Sequence, residues 1–330
     1  MKWNNKKILV TGADGFIGSH LVERLVADGA KVRAFVYYNS FNTWGWLDTF
    51  SKKTLEKIDV FTGDIRDPNG VFQAVEGMDV VFHLAALIGI PFSYHSPDSY
   101  VDTNIKGTLN VLQAARKLKL SRVIHTSTSE VYGSAQYVPI DEQHPVNPQS
   151  PYAATKSAAD ELALSFYRSF NLPVTIVRPF NTFGPRQSAR AIIPTIITQI
   201  YSGQKIIRLG NVDTRRDFNY VSNTVDAFVR AAETKEAVGQ VLNAGSGRDI
   251  SIRQLVDTIQ NVTQKKIKIA VDQKRLRPVK SEVERLLCDA GKIQTMCGYQ
   301  EQILLSEGLK RTCDWIKKNL ARYKADTYNV

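Results

Sequence analysis

Two groups in the middle of the chain have the residue types and spacing to run proton chemistry on an alcohol. Tyr152 and Lys156, in Tyr152-Ala-Ala-Thr-Lys156, stand at i and i+4 and share one face of a helix. An ammonium beside a phenol favours the phenolate, so the tyrosine can take a hydroxyl proton while a hydride leaves the same carbon. The second group is Thr128-Ser129-Glu130, within Thr126-Ser-Thr-Ser-Glu-Val-Tyr-Gly133 at the end of an apolar run that reads as a strand. Ligands of open α/β sheets bind at the carboxyl ends of strands, where these hydroxyls can hold a substrate hydroxyl against the tyrosine. Glu130 is the more informative residue. Simple oxidation or 4-epimerisation needs no carboxylate base here, whereas elimination needs one for the proton beside a newly made ketone.

A hydride needs an acceptor, and the start of the chain offers a place for one. Ile8-Leu-Val-Thr-Gly12-Ala-Asp-Gly15-Phe16-Ile17-Gly18 sets three glycines between a strand and a helix. A strand turning sharply into a helix presents free N–H groups to a pyrophosphate, and side chains at the turn would block the approach. The second strand should end on the residue that reads the adenosine ribose, commonly Asp or Glu where the cofactor is NAD. That position is Val36, followed by Tyr37-Tyr38-Asn39-Ser40, with no carboxylate to repel a 2′-phosphate and no arginine placed to hold one. The residues therefore leave NAD and NADP both open. Asp64 and Ile65, in Gly63-Asp-Ile-Arg-Asp67, fall where an adenine edge would lie, with an Asx-type turn as the purely structural alternative. Leu84, Ala85 and Ala86 follow His83 and put small side chains where backbone would pass close to the cofactor.

The elements that must position these residues follow from periodicity. Strand patterns at 7–10, 32–36, 58–62, 80–84, 123–127 and 174–178 alternate with helical patterns at 17–28, 69–75, 100–117 and 152–170. Repeated βαβ units with right-handed crossovers predict an α/β fold, a Rossmann-type doubly wound parallel sheet. After Arg178 the rhythm changes to Pro/Gly-punctuated loops with helical spacing at 192–201, 224–232, 252–262 and 303–320, which predicts a smaller α/β substrate-binding lobe. The expected division is 1–180 plus roughly 218–245 for the dinucleotide lobe, and 181–217 plus 246–330 for the other.

Composition narrows the class. The chain has 330 residues, enough for one large domain or two packed lobes, and is 43% hydrophobic and 23% charged, as a globular protein is. No apolar stretch reaches the roughly 18 residues of a membrane helix, and the reading is a cytoplasmic protein without a membrane partner. Cys288, Cys297 and Cys313 lack metal or redox spacing, so they are expected to be reduced and structural, with no metal bound. A net charge of +11 arises from dispersed basic residues; it fits an anionic small substrate better than nucleic acid, which is not expected as a partner.

With these motifs in place, the sequence resembles the extended short-chain dehydrogenase/reductases, and within them the nucleotide-sugar 4,6-dehydratases, over nearly its whole length. Arg178-Pro-Phe-Asn181-Thr-Phe-Gly-Pro-Arg186 and Arg216-Asp-Phe-Asn-Tyr-Val221 are similar to the family's substrate-lobe signatures. Ala86-Leu-Ile-Gly-Ile-Pro91, Ser188-Ala-Arg-Ala-Ile-Ile-Pro194 and Arg277-Pro-Val-Lys-Ser-Glu-Val-Glu-Arg285 look like the NAD-dependent dehydratases of legionaminic-acid pathways. The resemblance implies NAD as cofactor, a UDP- or GDP-linked N-acetylglucosamine as substrate, and Thr128, Ser129 and Glu130 as the dehydration trio. It also implies nucleotide anchoring by Arg216 and Arg277 with Asn181 and Arg186 near them, and by Glu282 or Glu284 at the ribose. Related enzymes pair as homodimers through a four-helix bundle, here the helices at 100–117 and 152–170, whose Val111, Leu112, Leu162 and Phe166 exceed what one sheet face would bury. Ser222-Asn223 departs from the family's acidic pair, and the second-strand acid is missing. A 4-epimerase and a C5-inverting dehydratase share the fold; a catalytically silent NAD-binding protein would have no use for Tyr152, Lys156 and Glu130.

Overall fold

The computed structural model describes residues 3–324. Strands β1 (Lys7–Thr11), β2 (Lys31–Tyr37), β3 (Ile58–Gly63), β4 (Val80–His83), β5 (Arg122–Thr126) and β6 (Val174–Pro179) lie within a residue or two of their expected places. Three further strands, β7 (Asn181–Phe183), β8 (Ile206–Leu209) and β9 (Arg215–Tyr220), precede β10 (Val241–Ala244). β10 joins the first six in an all-parallel sheet of order β3-β2-β1-β4-β5-β6-β10. Its strands bury both faces: Ile8 and Val10 enter one apolar cluster and Leu9 the other. The order in which strands are added reverses between β1 and β4, so the connections leaving their carboxyl ends diverge and open a crevice.

Helices α1 (Phe16–Ala27), α2 (Lys52–Leu55) and α3 (Pro68–Val75) connect the first strands. After α4 (Ile90–His95) and α5 (Pro97–Tyr100), the stretch expected as one helix at 100–117 is helical throughout but divides into a π-helical segment at Val101–Lys106 and α6 (Gly107–Lys117). Hydrophobic period alone does not reveal such a widening, which places buried Asn104 in the middle of the segment. α7 (Pro151–Phe170) carries the Tyr/Lys pair and is capped by the Ser150 hydroxyl, which accepts from the Ala153 amide, with Pro151 opening the first turn.

Beyond α7 the chain adds α8 (Ile192–Tyr201), α9 (Val221–Glu233), β11 (Asp249–Ser251), α10 (Ile252–Thr263), β12 (Lys268–Val271), β13 (Arg285–Leu286), α11 (Gly291–Cys297) and α12 (Leu305–Lys318). A small sheet runs β11-β9-β13 with β7 beside β9, and β8 pairs with β12. α9 returns to the large sheet against α1, β5 and β6, and the boundary expected near 218 falls inside β9. Asn223, which stands where the family's acid would be, is buried; it accepts from the amides of Gln302 and Ile303 and donates to the Ile303 carbonyl. The three cysteines are buried and unpaired.

The apolar residues that suggested a dimer are spent inside the protomer. Val111, Leu112 and Phe166 are buried in the cluster between the sheet, α6 and α7, and Leu162 packs against it. A helix sandwiched between a sheet and another helix needs a broader apolar face than a sheet alone requires, so these positions give no evidence of a partner surface.

A buried carboxylate helps join the small sheet to the large one. Asp217 is wholly buried, accepts from the amides of Ser246, Gly247 and Cys288 and from the Ser246 hydroxyl, and thereby ties β9 to the loop after β10 and to the residues after β13. Asp217→Ala would leave these amides buried without an acceptor; a loss of about 3 kcal/mol is expected in urea unfolding.

Candidate functional site

The glycine turn divides into two structural glycines and an open one. Gly12 has φ +67°, and a Cβ there would come within 2.9 Å of the Ala85 backbone. A Cβ on Gly18 would collide with the Gly12 carbonyl. Gly15 has ordinary backbone angles, and a Cβ would meet only the Gly12 carbonyl, at 3.2 Å. It caps α1 without any side-chain acceptor, leaving the first-turn amides around Phe16 and Ile17 for an incoming anion. Across the crevice, Thr11 fixes the segment after β4: its hydroxyl accepts from the amides of Leu84 and Ala85, each at 3.1 Å, and pairs with His83 Nδ1 at 2.8 Å. These observations fit a dinucleotide pyrophosphate over α1, with Leu84, Ala85 and Ala86 along its far side.

Asp64 is engaged locally. Its carboxylate accepts from the Arg66 amide at 2.9 Å and forks onto the Arg66 guanidinium at 2.5–3.0 Å, the Asx turn set out as the alternative above. Ile65 is buried, with its methyls against Gly107 at the start of α6.

Tyr152 and Lys156 point into the protein from α7, with Tyr152 8% and Lys156 4% exposed. The Lys156 ammonium donates to the Thr126 carbonyl at 2.5 Å. Burial brings its pKa down to about 8, against the pull of Asp160 one turn further on. Burial also pushes the Tyr152 phenol well above its ordinary value; the Thr128 hydroxyl bonded to it opposes this, and the Glu130 carboxylate adds to it. Burial and the nearby Glu130 carboxylate thus act on the phenol in one sense, while the Lys156 ammonium is bonded to the Thr126 carbonyl.

Thr128 caps the tight turn Ser129–Tyr132 by accepting from the Glu130 amide at 3.2 Å, and this aims the trio into the crevice. Ser129 is buried, and Glu130 keeps 12% of its side chain exposed. Opposite Glu130, the segment between β12 and β13 folds over the opening. Arg277 Nη1 lies 3.9 Å from Glu130 and 3.8 Å from Glu282, and Arg216 Nη2 lies 3.5 Å from Glu282. Arg277 Nη1 and Asn181 Oδ1 are buried polar atoms without a hydrogen bond, as expected of groups awaiting a polar ligand.

Two expected residues do not join this group. Arg186 donates to Glu23 at 2.7 Å and to Ser19 at 3.3 Å and stands over the Phe50 ring, which binds it to the back of α1. Glu284 is exposed and takes part through its backbone: its carbonyl accepts from the Arg215 amide at 2.9 Å and from Arg216 Nη1 at 3.4 Å, and its amide donates to the Ser134 hydroxyl at 3.4 Å.

The structure adds residues that the sequence reading passed over. Asn104 donates to the Leu87 carbonyl and to Thr155 and accepts from the Leu87 amide, tying the 84–87 segment to α7. Tyr100 donates to the Gly89 carbonyl at 2.5 Å and meets Tyr152 edge to face. Ser281 donates to the Gln149 carbonyl and bonds the Tyr94 hydroxyl at 2.6 Å, closing the mouth between α4 and the 277–284 segment. None belongs to a spacing motif; each acts through contacts distant in sequence.

A lysine whose pKa is lowered by folding makes stability rise with pH. Above about pH 8 the folded Lys156 sheds its proton while the unfolded one keeps it until near 10.5, so the burial penalty is relieved across that window. The raised Tyr152 acts in the opposite sense only above its unfolded value near 10. Unfolding free energies at pH 8 and pH 10 are therefore expected to differ by about 2 kcal/mol more in the native protein than in Lys156→Met.

The arrangement has counterparts among known proteins. A dTDP-glucose 4,6-dehydratase from Streptomyces niveus is 33% identical over 326 residues, spanning 96% of this chain and 94% of that one. A UDP-glucose 4-epimerase from Mycolicibacterium smegmatis is 33% identical over 318 residues, 94% of this chain and 98% of that one. The structure of UDP-glucuronic acid 4-epimerase from Bacillus cereus, in complex with UDP-glucuronic acid and NAD, superposes with a TM-score of 0.86 at 31% identity, covering 95% of this chain and 99% of that one. The family model described as GDP-mannose 4,6 dehydratase matches residues 9–312, and the chain belongs to that family of nucleotide-sugar dehydratases and epimerases.

Proposed function

We propose that the protein is a NAD-dependent 4,6-dehydratase that converts a UDP- or GDP-linked N-acetylglucosamine into its 4-keto-6-deoxy form. The observation that carries this reading is Glu130: a carboxylate in the same pocket as the Tyr152 phenol, held there by the Thr128 cap and faced by Arg277. The open glycine turn, the uncapped start of α1 and the Thr11-anchored segment at 84–86 would hold the dinucleotide. Bound there, the nicotinamide supplies a hydride acceptor that returns the hydride within the same turnover.

The protein's own groups then divide the proton work. Tyr152 takes the proton of the sugar 4-hydroxyl as C4 loses its hydride, and Thr128 bonds the phenol. Lys156, close behind, stabilises the phenolate once formed and reaches the cofactor ribose. The C4 ketone acidifies the hydrogen on C5, which Glu130 removes. Ser129, or a water it orders, assists departure of the 6-hydroxyl. Of the two protons taken up, one leaves with that hydroxyl as water and one returns to C5; the hydride that left C4 arrives at C6, so net redox change is zero. Arg216 and Arg277 would neutralise the diphosphate, with Asn181 beside them and Glu282 accepting a ribose hydroxyl. Residues 1–180 with about 218–245 would form the cofactor side and the rest the nucleotide-sugar side.

A 4-epimerase is the second reading, favoured by the similarity to epimerases over the whole chain. It uses Tyr152 and Lys156 alike but gives Glu130 no proton to move. Glu130→Gln keeps the size of the side chain and removes the base. With substrate it is expected to accumulate reduced nicotinamide, absorbing near ~340 nm, and to form deoxy sugar on the order of 10²- to 10⁴-fold more slowly. Full-rate formation of the 4-keto-6-deoxy sugar by this variant would remove the assignment of Glu130. NMR of the wild-type product showing only the 4-epimer would establish the second reading instead. A homodimer through the outer faces of α6 and α7 is proposed from the family resemblance; light scattering at working concentration should give twice the protomer mass.

A further inference from the structure

The residue at the end of β2 that would normally read the adenosine ribose is absent, yet a carboxylate occupies that place in space. Asp14 lies in the glycine turn between Ala13 and Gly15, and its Oδ2 accepts from the amide of Tyr37, the last residue of β2, at 3.3 Å. The connection after β2 holds it there. Trp46 donates its amide to the Asp14 carbonyl at 3.0 Å. Gly45, at φ +60°, passes so close that a Cβ would stand 2.6 Å from that carbonyl and 3.0 Å from the Asp14 Cβ. A side chain at Gly45 would thus push the segment away from the turn.

We infer that Asp14 takes over the role of the missing strand-end acid, accepting the adenosine ribose hydroxyls and excluding a cofactor that carries a 2′-phosphate. The inference rests on the dinucleotide site proposed above. Three features carry it. The carboxylate adjoins both the phosphate-binding turn and the carboxyl end of β2, where the ribose between adenine and pyrophosphate must lie. Its bonding is incomplete: burial pushes the carboxyl upward while only backbone amides, those of Tyr37 and of Asp14 itself, pull it back, so ribose hydroxyls would supply donors that it lacks. The cation near Tyr37, Arg66, is already forked onto Asp64, whereas a 2′-phosphate would meet the Asp14 carboxylate as a second anion. The sequence alone hides this, since Asp14 precedes Val36 by 22 positions and only folding brings the two segments together.

The test reads which nucleotide the full chain retains. Protein is equilibrated with equimolar NAD and NADP and passed through gel filtration, and the bound nucleotides are released and separated. Wild type is expected to retain NAD over NADP by on the order of 100-fold, and Asp14→Asn, which keeps an acceptor for the Tyr37 amide, to lower that ratio at least about tenfold. Asp14→Ser serves the same purpose if the asparagine variant does not fold. Equal retention of the two nucleotides by wild type, or an unchanged ratio in the folded variants, overturns the role of Asp14 while leaving the dinucleotide site intact. Retention of neither nucleotide by wild type overturns the site and this inference together.

Discussion

The hydroxyl of Thr11 is the point on which the site depends. It lies where the strand order of the parallel sheet reverses, and it spans the gap that opens there by accepting two amides of the segment after β4. From it a chain of buried polar contacts runs through His83, Thr108 and Asn104 to Thr155 on α7. A buried hydrogen bond contributes only about 1 kcal/mol net, but leaving one of its ends unpaired costs more, so a continuous chain of this kind has one satisfactory geometry. The helix that carries Tyr152 and Lys156 is thereby placed relative to the dinucleotide turn by polar contacts, with apolar packing filling in around them.

Beneath α7 the same logic extends to charge. Asp160 accepts from Ser127 and Arg178 and lies 3.2 Å from His125, all of them buried. Burial alone would raise its carboxyl, but His125, Arg178 and Ser127 overcome that and hold it below the ordinary range. A carboxylate kept ionised under Lys156 raises the lysine pKa, while desolvation lowers it further than the carboxylate restores. The lysine is left poised close to neutrality in pH, able to change charge with modest changes in what lies above it. Breaking such a buried network by removing one member typically costs several kcal/mol, so it serves at once as scaffold and as electrostatic setting.

The smaller sheets bring the third component. Arg216 is threaded through the 282–284 backbone, donating to the Val283 carbonyl at 2.6 Å, and so fixes the segment that carries Glu282 and Arg277 opposite Glu130. Two guanidiniums and two carboxylates then share one opening, and burial presses the Arg216 pKa down with Arg277 beside it. Arg277 Nη1 is buried at this opening without a hydrogen bond, while Glu130 and Glu282 lie 3.9 Å and 3.8 Å from it.

Much of this was legible in the sequence because it rests on local periodicity. The strand-turn-helix around Gly12, Gly15 and Gly18, the i and i+4 pair in α7 and the six leading strands are each set by residues a few positions apart, and they lie where the spacing puts them. What the sequence could not decide are the pairings across the fold. Nothing local says that Asp14 reaches β2, that Arg186 turns to Glu23, or that Glu282 lies against Arg216 while Glu284 stays exposed. The π-helical widening that buries Asn104, and the use of Val111, Leu112 and Phe166 within one protomer, are likewise tertiary outcomes. Local propensity fixes which way a segment bends, but the partner of a buried polar group is chosen by whichever distant donor or acceptor the packed chain brings within about 3 Å.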